Sequence, residues 1–292
     1  EKYNLSKIDF IFEINEKNLR FGDVKLFLNN KNILIPELTA LRQNKEYLIS
    51  GRLNTKNINF TKNEIKNFIN DEFLKLNIKE ISFSSKNNFK FKINKNFKIK
   101  NLDIKSDVDL HNLKLKNSFE LKNIFPKIKK DFIFKDQNIK FEYKKDNLNI
   151  VGEGEVFLQN KIDKIEYEIY QRKNDIRFNT TLIISENSLK LDLLNFKKKE
   201  NTNLRLNFKG KKNFKKNLIL DEISLKEKNN IISIKNLILS NDNKINDLSK
   251  VNINYIDEEN LKNNVQIIKK DEDYLISGNS FNINNIIEKL LN

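Results

Sequence analysis

The sequence has no cysteine, no methionine and no tryptophan, only two prolines and six glycines, and a single histidine. Without cysteine there can be no disulfide, no thiolate metal ligand and no cysteine nucleophile. The lone His111 rules out a histidine pair at metal-ligating spacing, and its setting, Asp109-Leu110-His111-Asn112-Leu113, reads as a surface turn rather than a base or ligand. No glycine-rich turn opens a helix to cradle phosphate, and no serine stands in a nucleophile elbow. Gly152-Glu153-Gly154-Glu155 sets two carboxylates on one side of a strand, but without partners they read as an exposed strand end. The expectation is a non-enzymatic chain with no catalytic residue, no cofactor and no metal.

Long hydrophobic runs are missing too. The longest, such as Leu182-Ile183-Ile184, are strand-sized and far short of the roughly 18 apolar residues of a membrane-spanning helix. The numbering opens on Glu1 and there is no methionine, so the 292 residues are expected to be a piece of a longer precursor with any anchor upstream.

What the chain does have is charge and strand rhythm. Its net charge of +15 raises the question of an anionic partner. Arginine, whose bidentate fork suits phosphate, occurs only at Arg20, Arg42, Arg52, Arg172, Arg177 and Arg205. Lysine dominates together with asparagine, isoleucine and phenylalanine, as in an AT-rich coding sequence, and the charge reads as a solvated face.

Apolar and polar residues alternate with a period of two. Phe89, Phe91 and Ile93 stand against Lys90, Lys92 and Asn94, followed by Phe97 and Ile99 against Lys98 and Lys100. The pattern returns at Ile139-Phe141-Tyr143, Ile165-Tyr167-Ile169, Ile176-Phe178-Thr180-Leu182, Leu189-Leu191-Leu193, Leu204-Leu206-Phe208 and Val251-Ile253-Tyr255. Polar turns such as Lys145-Asp146-Asn147 and Lys173-Asn174-Asp175 separate the runs, and with so few glycines Asn and Asp must supply the turn conformations. Turns this short join antiparallel neighbours. The rhythm predicts about fifteen strands of about five to seven residues, too short to span a bilayer as a barrel of nine- to eleven-residue strands. It also places rings and ammonium groups on opposite faces, which argues against a base-stacking platform.

Three helices are predicted. Residues 61–75 begin with a capping box, Thr61 with Glu64, and place Ile65, Phe68, Ile69 and Phe73 on one stripe. A second spans 118–125 before Pro126, and a third lies near 282–291, with Ile283, Ile286, Ile287, Leu290 and Leu291 on one face. Tyr47-Leu48-Ile49-Ser50-Gly51 recurs unchanged as Tyr274-Leu275-Ile276-Ser277-Gly278, with Leu148-Asn149-Ile150-Val151-Gly152 as a looser copy. Such strands ending in glycine can mark either duplication or a common bulge. The expected fold is all-β with a few short helices: a long curved antiparallel meander forming an open β-groove, one continuous segment over residues 1–292.

The closing segment Asp273 to Ile283, followed by Ile286-Ile287, is similar to the strand, Gly-Ser, hydrophobic, Asp, then helix signature of the AsmA-like family of YhdP and TamB type, with Asn282 where the family has its final Asp. The stretches Phe97 to Val108 and Ile139 to Gly154 share the strand rhythm of that family. The resemblance implies a bridge-like lipid-transport segment in the periplasm, anchored in the inner membrane through an upstream segment. Its partners would be phospholipid acyl chains and other envelope proteins, not nucleic acid. Phe89, Phe91, Ile93, Phe141, Ile165, Tyr167, Ile169, Phe178 and Leu191 are then the expected lipid contacts. The alternatives are a β-solenoid or sandwich scaffold without lipid cargo and, third, a basic nucleic-acid-binding protein.

Overall fold

The computed structural model describes residues 4–65, 77–118, 120–213, 217–242 and 244–291. The chain divides into two compact units, residues 1–116 with 133–154, and residues 117–132 with 155–292. Both are antiparallel meanders left open, as the alternation and short turns demand.

The first unit contains β1 (Leu5–Ile14), β2 (Asn18–Leu28), β3 (Lys31–Gln43), β4 (Glu46–Thr61), β5 (Ile78–Asn94) and β6 (Ile99–Lys116), with most of β7 (Asp131–Lys144) and β8 (Asn147–Phe157). Each strand from β1 to β6 pairs with the next. The second unit contains β9 (Asp163–Arg172), β10 (Asp175–Ile184), β11 (Lys190–Leu191), β12 (Phe196–Lys197), β13 (Leu204–Asn213), β14 (Leu218–Glu227), β15 (Asn230–Leu239), β16 (Ile245–Asp247), β17 (Lys250–Ile256), β18 (Lys262–Lys270) and β19 (Asp273–Ser280). Its ladder runs β9, β10, β13, β14, β15, β17, β18, β19, while β11 and β12 pair only with each other.

The strands are longer than the expected five to seven residues: β5 has 17 and β6 has 18. Register slips between Ser82 and Phe83 and between Thr55 and Ile58 are carried as bulges within continuous strands. Strand length therefore does not count against a barrel; the open ladder does. Phe97 is not in a strand but at the tip of the β5–β6 hairpin, 84% exposed. His111 lies within β6, where the register skips it between Leu110 and Asn112, rather than in a turn.

The turns follow their chemistry. Two-residue loops join Leu28 to Lys31, Gln43 to Glu46, Arg172 to Asp175, Glu227 to Asn230 and Lys270 to Asp273. Asn29 and Asn30 both have positive φ, as do Lys145 and Asp146, the requirement of a tight hairpin whose twist matches its strands. Asp23 and Asn57 take positive φ where the register slips, and no glycine among the described residues does so. Glycine here supplies a missing side chain, not a left-handed backbone.

Of the predicted helices, α1 (Lys62–Ile65) is present with its capping box: Glu64 accepts from Thr61 N at 2.8 Å and from Thr61 Oγ1 at 2.9 Å. These bonds and Lys31 hold the Glu64 carboxyl down at about 2. Phe68, Ile69 and Phe73 lie outside the described residues. The C-terminal α2 (Asn284–Leu291) forms as read. The helix at 118–125 does not form. A single turn remains, with Ile124 N and Phe125 N donating to Leu121 O at 3.0 and 2.8 Å, and Ile124 O accepts from Lys190 N at 3.0 Å instead of continuing a helix. Eight residues are too few to propagate a helix against such competition.

Candidate functional site: an apolar sheet face

Register and alternation assign each side chain to a face. In the first unit Phe12, Phe21, Leu38, Gly51, Phe89 and Ile104 stand opposite one another across β1 to β6. Ile14, Leu19, Ala40, Ile49 and Phe91 make the parallel row beside it. Phe89 and Phe91 have ring centroids 6.1 Å apart at 26°. Ile93, opposite Tyr47, continues this face. Phe141 joins it through the other side of β7. Glu142 pairs with Lys105 at 3.1 Å and Lys144 with Asp103 at 3.0 Å on the charged face, so alternation turns Phe141 and Tyr143 to the apolar one.

In the second unit one row comprises Ile165, Leu182, Leu206, Leu225, Ile232, Ile253 and Val265. The next comprises Tyr167, Thr180, Phe208, Ile223, Ile234, Val251, Ile267 and Ile276. Ile169 opposite Phe178 belongs to a third. Burial changes between rows. Leu182 through Val265 are buried, Tyr167 through Ile267 are half-buried, and Ile276 is 67% exposed. Burial pushes the Tyr167 phenol up to about 12.

The closed end has an identifiable plug. Residues 185–203 fold back toward the sheet, and Leu189 and Phe196 are buried there, as are Ile184, Leu204 and Tyr255 of the neighbouring strands. Phe196 meets Tyr255 edge-on at 5.6 Å, and the Tyr255 hydroxyl donates to Leu194 O. Glu227 accepts from Lys199 N at 2.7 Å and from Thr202 Oγ1 at 2.5 Å. Asn187 Nδ2 donates to Asp163 Oδ2 at 2.8 Å, and Lys198 Nζ to Ser185 O at 2.6 Å. Burial raises the Asp163 carboxyl to about 6 and lowers the Lys198 ammonium. Leu191 lies in this plug, opposite Phe196 in the small β11–β12 ladder, because Leu189-Leu191-Leu193 does not continue as a sheet strand. A 3-10 turn at Asp192–Leu194 breaks it, closed by left-handed Asn195.

Eight of the nine residues singled out from the sequence therefore lie on apolar sheet faces, four in the first unit and four in the second, and all nine are half-buried. The plug's polar residues were invisible in the sequence, since Asp163, Asn187, Lys198 and Glu227 look like ordinary surface residues and only the fold-back buries them. Asn282 turns out to be a tether. Its backbone N–H donates to Asn263 Oδ1 at 2.7 Å, and its side chain reaches Asp257 at 3.0 Å and caps Asn284 N at 3.2 Å.

The opposite faces are solvated and charge-paired, as in Arg20–Glu37–Arg52 at 3.4 Å each and Lys100–Glu46 at 2.9 Å. Ser84 Oγ and His111 Nε2 are 2.9 Å apart on this wet side. Among the described residues nothing bonds the other ring nitrogen, so the pair lacks the orienting group of a nucleophile and base. No group of three metal-ligating side chains is found among the described residues.

In each unit, fold and face together define an open antiparallel β-meander with one apolar side. No known protein family, characterised protein or solved structure matches the chain. The AsmA-like resemblance thus rests on strand rhythm and the closing segment.

Proposed function

We propose that this chain is a non-enzymatic segment whose apolar sheet face holds lipid acyl chains, assisting phospholipid movement between inner and outer membrane from the periplasm. The observation that carries the reading is the half-buried row from Tyr167 to Ile267, continuous across the sheet of the second unit and left partly open beside a buried one. A continuous apolar surface of this kind needs a partner. Acyl chains suit it because each buried CH₂ contributes about 0.8 kcal/mol with no specific polar contact. The plug of residues 185–203 closes one end of this face, so cargo would lie toward the Phe178 and Gly210 end. Native mass spectrometry of the purified chain tests the reading: co-purifying phospholipid supports it, and a lipid-free protein that extracts none from vesicles contradicts it.

The buried row from Leu182 to Val265 favours a second reading, a self-filled scaffold without cargo. The same lipid-free result would support that reading.

A further inference from the structure

The apolar face of the first unit is interrupted by a belt of neutral hydrogen-bonding side chains. Thr55 stands opposite Ser85, and Asn87 lies between Leu53 on one side and Ser106 on the other. Thr55 Oγ1 and Ser85 Oγ are 2.9 Å apart, and Asn87 Nδ2 donates to Ser85 Oγ and to Leu53 O, both at 2.8 Å. The Asn87 amide protons are thereby used. The Ser106 hydroxyl makes no hydrogen bond among the described residues, although Ser106 is only 9% exposed. Its oxygen is not one of the buried polar atoms left without a partner, so the hydroxyl is reachable from outside and its proton is free for a ligand acceptor.

The surroundings narrow the ligand class. Phe89 and Ile104 flank the belt on one side, Phe83 and Leu110 on the other, and Val108 stands opposite Ser85. None of the four belt residues carries a charge, so a phosphate or carboxylate there would be desolvated without a counter-ion. A neutral carbonyl between two hydrocarbon segments fits both the donor and the apolar walls. We propose that Thr55, Ser85, Asn87 and Ser106 form a subsite for the ester carbonyls of a diacyl lipid, with the Ser106 hydroxyl as donor. This rests on the acyl-chain reading and names its substrate class: ester-linked in preference to ether-linked lipids.

The test is competition between a diester phosphatidylcholine and the dialkyl ether phosphatidylcholine of the same chain length, read as the ratio of bound species by native mass spectrometry. One hydrogen bond of ordinary strength gives an ester preference of about two- to tenfold. Ser106→Ala should bring the ratio to about one, Ser106→Thr should restore it, and Lys105→Ala, on the opposite face, should leave it as in the wild type. Equal binding of both lipids by the wild type, or a preference surviving Ser106→Ala, overturns the subsite while leaving the acyl-binding face intact. Binding of neither lipid overturns both.

Discussion

Phe89 lies across Gly51 on the neighbouring strand, so close that a Cβ at residue 51 would stand 2.9 Å from Phe89 Cζ and 2.6 Å from Glu37 O. Phe178 and Gly210 repeat the relationship in the second unit, with corresponding distances of 3.0 Å to the ring and 2.5 Å to Ile219 O. The glycine lets a ring lie flat on the sheet, which keeps the apolar face low at that point. Gly51→Ala and Gly210→Ala should each destabilise by about 1–3 kcal/mol through overpacking. Gly22→Ala, where nothing lies within 4 Å, should not. Urea midpoints of the three variants check the contrast.

Asp163 is buried in the plug, and this burial raises its carboxyl from the ordinary aspartate range to about 6. A raised carboxyl opposes folding while charged, so its penalty is full above about pH 6 and fades as pH falls toward 4. Asp163→Asn should remove this dependence. Thermal melts from pH 4.5 to 7.5 should show the variant gaining on the wild type as pH rises; parallel curves would contradict the burial of this carboxyl.

Phe196→Ala should cost about 3–5 kcal/mol by opening a cavity at the Phe196–Tyr255 contact. The damage should be local. Limited proteolysis is expected to cut within 185–203 while far-ultraviolet circular dichroism keeps its β signature.

On the wet face, Arg52→Ala removes one side of the Arg20–Glu37–Arg52 cluster, whose members are more than a third exposed. The change in stability should stay under about 1 kcal/mol and shrink in high salt. A larger loss in urea titrations would mean that this face is not simply solvated.

Alternation made the sheet legible. That Phe89 and Phe91 share a face in the first unit, and Tyr167 and Phe178 one in the second, follows from period two alone, and the turn residues Asn29-Asn30 and Lys145-Asp146 declare their hairpins. Strand lengths were not legible, because a bulge at Thr55 or Ser82 reads locally as a strand end. The plug was hidden for a different reason: Leu189, Leu191 and Leu193 have strand spacing, yet tertiary burial of Leu189 and Phe196 outweighs that local preference. The three sequence copies proved to be equivalent in place. Tyr47, Leu148 and Tyr274 each stand one residue into the strand that follows a two-residue turn.

The most direct test of an acyl-binding face is site-specific photo-crosslinking in membranes, with the reactive residue at Phe91, Tyr167 or Phe178 and, as controls, at the neighbouring outward positions Lys90, Glu168 and Asn179. The account predicts lipid adducts at the first three and few or none at the controls. Equal labelling of both sets, or none at Phe91, Tyr167 and Phe178, would contradict it.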